Sequence, residues 1–427
     1  MRKLKLNFIA MNCSYSNDNA ISKIDFSSGE SAYFPMRKIK FKNLYRVLLF
    51  TLTFIVGVNG WGQVTKTVGN TAGADYATLK AAFDAINAGT LTAPSATITL
   101  KIIGNTAETA AAVLNANGGA VSYGSILIQP EGAWEISGSV TGTNGGLITL
   151  NGADYVTIDG INSSGNSLTI TNTSTSLTSW TSTILFKSDA TYNKIKNCTI
   201  LGSSAMVTST DGGTICFAQS NTSGCNYNSV KYCNIGPSSA SATPTRAIYS
   251  NGISTTSTWS KYDTISNNKI YDFFRPTEGS FGIYIANSKS FVIKNNHFYQ
   301  TVARTQTGGT NPEHSAIYIA SGDGYTINEN IIGYNSAALT GTYTFTQSGG
   351  GRLTPIYFNG NTSSPVLSTI NSNIITNISF SSPYTSSSTT TNALFKGIYI
   401  SAGSTQVNNN TIGSLTENDK ITLTNTS

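Results

Sequence analysis

The stretch Gly282-Ile-Tyr-Ile-Ala-Asn-Ser-Lys-Ser-Phe-Val-Ile-Lys-Asn-Asn-His-Phe298 holds two short phrases, and both recur along the chain. The second, Ile293-Lys-Asn-Asn296-His-Phe298, is an aliphatic residue, two polar residues, Asn or Cys, one more residue, then Ile or Phe. The same pattern reads Ile195-Lys-Asn-Cys198-Thr-Ile200, Val230-Lys-Tyr-Cys233-Asn-Ile235, Ile265-Ser-Asn-Asn268-Lys-Ile270, Ile327-Asn-Glu-Asn330-Ile-Ile332, Ile370-Asn-Ser-Asn373-Ile-Ile375 and Val407-Asn-Asn-Asn410-Thr-Ile412. Its fourth position returns every 35, 35, 28, 34, 43 and 37 residues. That is the period of a stacked repeat and not of independent domains.

The first phrase, Ile283-Tyr-Ile285, has counterparts at Ile184-Leu-Phe186, Ile215-Cys-Phe217, Ile248-Tyr-Ser250, Ile317-Tyr-Ile319, Ile356-Tyr-Phe358 and Ile398-Tyr-Ile400. Short β-branched and aromatic runs followed by Asn, Ser and Gly read as strands. Side chains alternate along a strand, so the flanking apolar residues point one way and the central Tyr the other. Two such strands per repeat, each with one apolar face, cannot bury that face within a single repeat. Stacked coils bury it.

Gly282 to Phe298 and Gly397-Ile-Tyr-Ile-Ser-Ala-Gly-Ser-Thr-Gln-Val-Asn-Asn-Asn-Thr-Ile412 resemble rungs of right-handed parallel β-helix proteins, the pectin-lyase-like superfamily. The resemblance is clear over residues 146–427 and weaker over 63–145. It implies an all-β fold, a right-handed parallel β-helix solenoid with rungs about 4.8 Å apart, in which equivalent positions form columns. Asn268, Asn296, Asn330, Asn373 and Asn410 then make an inward ladder of side-chain amides, begun by the smaller Cys198 and Cys233. The superfamily hosts lyases, hydrolases, adhesins and inert shafts, so the repeat speaks to fold and not to function.

Charged residues are 11% of the 427, and the formal net charge is +6. Residues 1–62 hold nine of the 26 basic and three of the 20 acidic residues, which leaves 17 of each afterwards. The remaining chain is neutral and gives no case for nucleic-acid binding. Met36-Arg-Lys-Ile-Lys-Phe-Lys-Asn-Leu-Tyr-Arg46 precedes an apolar stretch from Val47 to Val58, and Gly60-Trp-Gly62 supplies small residues for a peptidase. Residues 36–62 therefore read as a secretory signal peptide cut before Gln63. An apolar stretch this short falls below the about 20 residues a spanning helix needs. Residues 1–35 fit neither signal nor domain and are expected to be unstructured, the product of a start assigned upstream of Met36. The basic signal, the cut before Gln and the Thr/Asn-rich repeats resemble secreted proteins of Bacteroidetes-type bacteria, although the sorting domain usual at their end is not visible in this sequence.

Ala74 to Gly89 is the one convincing helix: Leu79, Ala82, Phe83 and Ile86 share a face, Thr78 can cap it and Gly89 stops it. Ahead of a solenoid it serves as an N-terminal cap, so residues 63–145 are expected to hold this helix and the first irregular rungs, and 146–427 the repeats. At the far end Ile421 to Asn425 starts another strand with no cap behind it, the pattern of a truncated or partial chain. The longest insertions (236–245, 273–280, 301–315, 334–354 and 379–394) nearly all follow the second strand of a rung, which puts them on one side of the shaft.

Chemistry-bearing residues are few. The two histidines, His297 and His314, lie seventeen apart, and no His/Cys group has metal spacing, so neither a metal nor a cofactor is expected. His297 reads as a surface strand residue and His314 as a member of a long loop with Glu313. Stacking brings Arg275, Glu278, Arg304, Glu313 and His314 toward one edge. A lyase needs a cation and a base there, and a hydrolase two carboxylates, so Glu278, Arg304, Glu313 and His314 are the candidate catalytic residues. They equally read as solvated loop charges. The strings Asn-Thr-Asp, Gly-His-Gly and Arg-Ile-Lys and the paired Asp of the superfamily's pectinolytic hydrolases are absent. Tyr249, Tyr284, Tyr318, Tyr357 and Tyr399 form an outward column, either a platform for sugar rings or a stack that stiffens the sheet. Cys198 and Cys233 read as buried free thiols, and Cys216 with Cys225 leaves a disulfide open. The expectation is a secreted or cell-surface monomer that binds polysaccharide or another cell-surface glycan, with a polysaccharide lyase or hydrolase as the alternative and a passive stalk as a third reading.

Overall fold

The computed structural model describes residues 21–25, 31–35, 63–142, 145–206, 211–219, 222–253, 255–308, 312–348, 351–363, 366–383, 394–414 and 420–426. The chain divides into two compact units, Met1–Trp61 and Gly62–Ser427. In the first, Ile21–Asp25 and Ser31–Pro35 pair antiparallel. Both segments carry bulky apolar residues, Ile21 and Ile24 in one and Tyr33 and Phe34 in the other, of the types that favour strands. The signal segment 36–62 lies outside the described residues.

The second unit is a parallel β-helix. Three long sheets hold its strands, and in each sheet the neighbours are parallel and follow sequence order. One coil runs from Ser280–Ala286 in sheet three through Val292–Lys294 in sheet one to His297–Tyr299 in sheet two. Sheet one has 11 strands, from Val64–Val68 to Thr405–Asn408. Sheet two has 10, from Thr106–Glu108 to Thr411–Ile412, and sheet three begins at Ala112–Asn115 and ends at Ile398–Ala402.

Each repeat thus has three strands where two were expected. The six-residue phrase is a corner: Ile195 lies in sheet one, Ile200 in sheet two, and the residue before the Asn or Cys turns the chain. Asn197, Tyr232, Asn267, Asn295, Glu329, Ser372 and Asn409 all adopt left-handed backbone with φ between 54 and 59°. Asn accepts that conformation readily, while Tyr, Glu and Ser do so at some cost. The ladder behind the turn offsets it. Asn296 Nδ2 donates forward to Asn330 Oδ1 (3.0 Å) and back to the Ile265 carbonyl (2.9 Å), and Asn296 Oδ1 accepts from both Asn268 Nδ2 (3.0 Å) and Asn268 N (3.1 Å). Asn330 repeats this with Asn373, and Asn373 with Asn410. Cys198 and Cys233 head the column as expected, and Cys233 N donates to Asn268 Oδ1 (3.0 Å). All four described cysteines are free and buried, which settles Cys216 and Cys225.

The inward columns form one continuous core, from Val68 through Ile195, Ile283 and Ile327 to Phe380. The helix Leu79–Asn87 packs Leu79, Ala82, Phe83 and Ile86 into it. Thr78 Oγ1 accepts from Ala81 N (3.1 Å), and the Glu108 carboxylate, reaching over from the first strand of sheet two, accepts from Leu79 N (2.8 Å) and Lys80 N (3.1 Å). These bonds satisfy donors that a helix start leaves open and set a negative charge at its positive end.

The long insertions are only partly loops. Arg304–Gln306, Tyr343–Gln347, Ile378–Ser382 and Ile421–Asn425 pair in parallel as a fourth sheet between sheets two and three. Tyr343, Phe345, Ile378 and Phe380 face inward and join the core. The strand expected at Ile421–Asn425 pairs as the last described strand of this sheet.

Candidate ligand-binding faces

Sheet three sets its tyrosines by register. Tyr249, Tyr284, Tyr318, Tyr357 and Tyr399 occupy equivalent positions on successive strands, with the flanking isoleucines turned to the core. The rings form an unbroken column with centroid separations of 5.5, 5.1, 4.2 and 5.4 Å. Tyr284, Tyr318 and Tyr357 are nearly parallel, at 6° each, and Tyr399 tilts away by 52°. Ring faces are therefore occupied by other rings, and a sugar cannot lie flat between them. What the column offers is ring edges and phenol oxygens at strand spacing.

The upper end of this column is closed. Tyr249 is only 3% exposed, donates to Asp211 Oδ1 (2.6 Å) and packs with Leu185, Cys216 and Ala218 in a second small core. The Arg246 guanidinium lies 4.5 Å from the Tyr249 ring centre and 5.2 Å from that of Tyr284, a cation–π arrangement. Phe281 meets Tyr284 and Tyr318 edge-on. From Tyr284 to Tyr399 the column is half-buried.

The candidate catalytic residues do not meet in a groove. His314 and Glu313 stand in the strand Glu313–Ile319, where a loop was expected. His314 is fully buried between Phe273 (5.4 Å) and Phe345 (4.6 Å), and its Nε2 is 2.5 Å from the Tyr343 hydroxyl. Burial, aided by nearby Arg304, pushes its imidazole down to about 3, so it is neutral across the physiological range. Arg304 ion-pairs with Asp272 (2.7 Å) and donates from Nε to Gln300 Oε1 (2.8 Å), all beneath the surface. The expectation of solvated charges is corrected for both: Arg304 braces the fourth sheet against the end of a sheet-two strand, and His314 packs sheet three against the fourth sheet. His297, expected at the surface, is also buried, with Nε2 3.2 Å from the Gly333 carbonyl. Glu278 is half-buried, and its backbone carbonyl accepts from Gln306 Nε2 (2.7 Å). Glu313 alone keeps a chemical profile: burial raises its carboxyl, with Lys396 at 3.9 Å opposing. Lys396 in turn sits 4.4 Å from the centre of the Tyr399 ring.

A second aromatic column was not anticipated. Tyr155, Tyr192, Tyr227 and Tyr262 turn the corner from sheet three into sheet one, each left-handed at φ 57 to 61°. Their rings stack at 5.2, 5.0 and 5.0 Å and are 54, 44, 48 and 50% exposed. A signal was present: each Tyr lies three residues before the apolar residue of the sheet-one strand (Ile158, Ile195, Val230 and Ile265). Behind them a second ladder, Asn193 to Asn228 (3.0 Å) to Asp263, supports the same corner.

Among the described residues no His/Cys/Asp/Glu group could hold a metal ion, and no helix is long and apolar enough to cross a membrane. No family model and no curated protein matches the chain. Among solved structures it is similar to the Streptococcus pneumoniae surface protein and adhesin PfbA, at 13% identity and a TM-score of 0.33 over 81% of this chain and 95% of that one. A similarity of that order carries no argument about function.

Proposed function

We propose that this chain is a secreted or cell-surface β-helix protein that binds an extended polysaccharide or cell-surface glycan, as a monomer, along the tyrosine column of sheet three. The observation that supports this reading is the five-ring column, stacked from Tyr249 to Tyr357 and half-buried from Tyr284 to Tyr399, with hydroxyls repeating at strand spacing. Tyrosine supplies a rigid apolar edge and a polar tip, the combination that meets a sugar's alternating C–H and O–H groups. The test keeps the stack and removes the tips. Tyr318→Phe with Tyr357→Phe should lower retention on a panel of immobilised polysaccharides while leaving the far-ultraviolet β signal unchanged. Undiminished retention would remove this face from the reading.

A second reading, a polysaccharide lyase or hydrolase, rests on Glu313, whose raised carboxyl beside Lys396 has the profile of a proton-transfer group. Under that reading Glu313→Gln abolishes new reducing or unsaturated ends and spares retention. Should neither change alter anything, the passive-stalk reading stands.

A further inference from the structure

We propose a second binding face, on the outer side of sheet one, for a linear polysaccharide carrying sulfate esters. The face is bordered by the exposed corner column of Tyr155, Tyr192, Tyr227 and Tyr262. Because those rings stack face to face, the faces between them are covered and the column presents chiefly edges and hydroxyls. The edge is the positive end of the ring quadrupole and the hydroxyl is a donor, so the column favours a ligand rich in acceptor oxygens.

The charges beside it agree. Register places Asp159, Lys196, Lys231, Ser266 and Lys294 in one outward column of sheet one, and Lys194 in the next. Lys261 precedes Tyr262 and stacks in register on Lys289 in a small parallel sheet at the same corner. Among the described residues only Lys196 of these six is ion-paired, to Asp159 (2.7 Å). Asp154 accepts from Thr191 N (2.6 Å), and Asp189 holds the backbone of Ser223 (2.7 Å) and Gly224 (2.8 Å). Asp323 and Glu329 follow where the lysines end. A chain that is neutral after residue 62 thus concentrates positive charge along one strip, parallel to the solenoid axis.

The cation type selects the anion. The described arginines (Arg246, Arg275, Arg304 and Arg352) all lie on sheet three or in the connections between sheets two and three, and none is on this face. A planar carboxylate is best met by the arginine fork, whereas lysine is a compact point charge without directional preference. A sulfate ester spreads its charge over three tetrahedrally placed oxygens and accepts an ammonium from many sides. Lysine columns one strand apart therefore suit sulfate groups repeated along a chain that lies parallel to the axis.

The test uses one backbone with three charges: immobilised dextran, carboxymethyl dextran and dextran sulfate, with the full chain in solution. Retention is expected on dextran sulfate, with affinity falling steeply as salt rises, little on carboxymethyl dextran and none on dextran. Lys194→Gln, Lys231→Gln and Lys294→Gln together should weaken dextran sulfate binding roughly tenfold and flatten its salt dependence. A control that removes the same charge elsewhere, Lys66→Gln with Lys80→Gln and Lys269→Gln, should leave it within about twofold, since Lys66 and Lys80 are already paired and Lys269 stands on sheet two. Equal loss in the control would reduce the effect to net charge and overturn the face, and equal retention on carboxymethyl dextran would overturn the choice of sulfate. The Tyr318→Phe, Tyr357→Phe protein should bind dextran sulfate normally, and a loss there would move the site to sheet three.

Discussion

At the scale of single residues, the ladder position is tightly constrained. Asn330 is fully buried, and its amide meets Asn296 on one side and Asn373 on the other. Asn330→Leu is close in volume, yet it strands neighbouring donors and acceptors. The expected cost is about 1–3 kcal/mol for each group left unpaired, read as a fall in the thermal midpoint, and an unchanged midpoint would show that the ladder contributes nothing. Asp263 makes the converse case. It stands in the second ladder after Asn193 and Asn228, fully buried, with Oδ1 accepting from Asn228 N (2.7 Å) and Oδ2 lacking a hydrogen-bond partner. Burial pushes its carboxyl well above the usual range, against the hydrogen bonds from Asn228. A raised folded value means that its contribution is fully present below the unfolded value near 4 and is lost as pH rises through the folded one. Asp263→Asn should therefore raise the midpoint at pH 7 to 8, with no such gain below pH 4. A gain of equal size at every pH would rule out titration as its cause.

At the scale of elements, the fourth sheet converts what reads as loop into wall. Its inner side carries Tyr343, Phe345, Ile378 and Phe380, and its attachment to sheet two runs through the buried Arg304–Asp272 pair. Removing one member of a buried pair leaves the other charge unmatched, which typically costs about 3–5 kcal/mol. Arg304→Ala should accordingly lower stability by that order, measured by denaturant unfolding, whatever substrate is present. Full stability with lost turnover would instead restore Arg304 to a catalytic role. His314, on sheet three, packs against the same wall through Tyr343 and Phe345. Its imidazole is held down to about 3 from 6.5, so its contribution is present above pH 6.5 and lost as pH falls toward 3. His314→Phe should resist acid better than the native protein, at the loss of the Tyr343 hydroxyl contact.

At the scale of the whole second unit, stability accumulates rung by rung, since each coil touches chiefly its neighbours. The same stacking repeats any outward residue as a column, so function is expected along the axis and not at a point. Two such columns are proposed to bind, on sheets three and one. Residues on different sheets that share no partners act independently, so the sheet-three tyrosine changes and the sheet-one lysine changes, combined, should lower retention on a ligand bound by both faces by the product of their separate effects. A combined loss no greater than the larger single one would mean one shared site.

Sequence alone determined the parallel β-helix, the inward Asn ladder with its two leading cysteines, the outward tyrosine column and the capping helix. Each is written in a local period, 2 along a strand or 3.6 along a helix, or in the spacing of one coil, and a stack of coils turns spacing directly into contact. The corner tyrosines at 155, 192, 227 and 262 were legible by the same rule. Tertiary structure alone decided the rest. Whether Arg304 and His314 face solvent depends on the fourth sheet, whose strands come from insertions of unequal length that carry no repeat. Whether stacked tyrosines present faces or edges depends on ring planes, which register does not fix. Burial is set by what lies above a residue, and in a solenoid that neighbour comes from another coil, some 30 to 40 residues away in sequence.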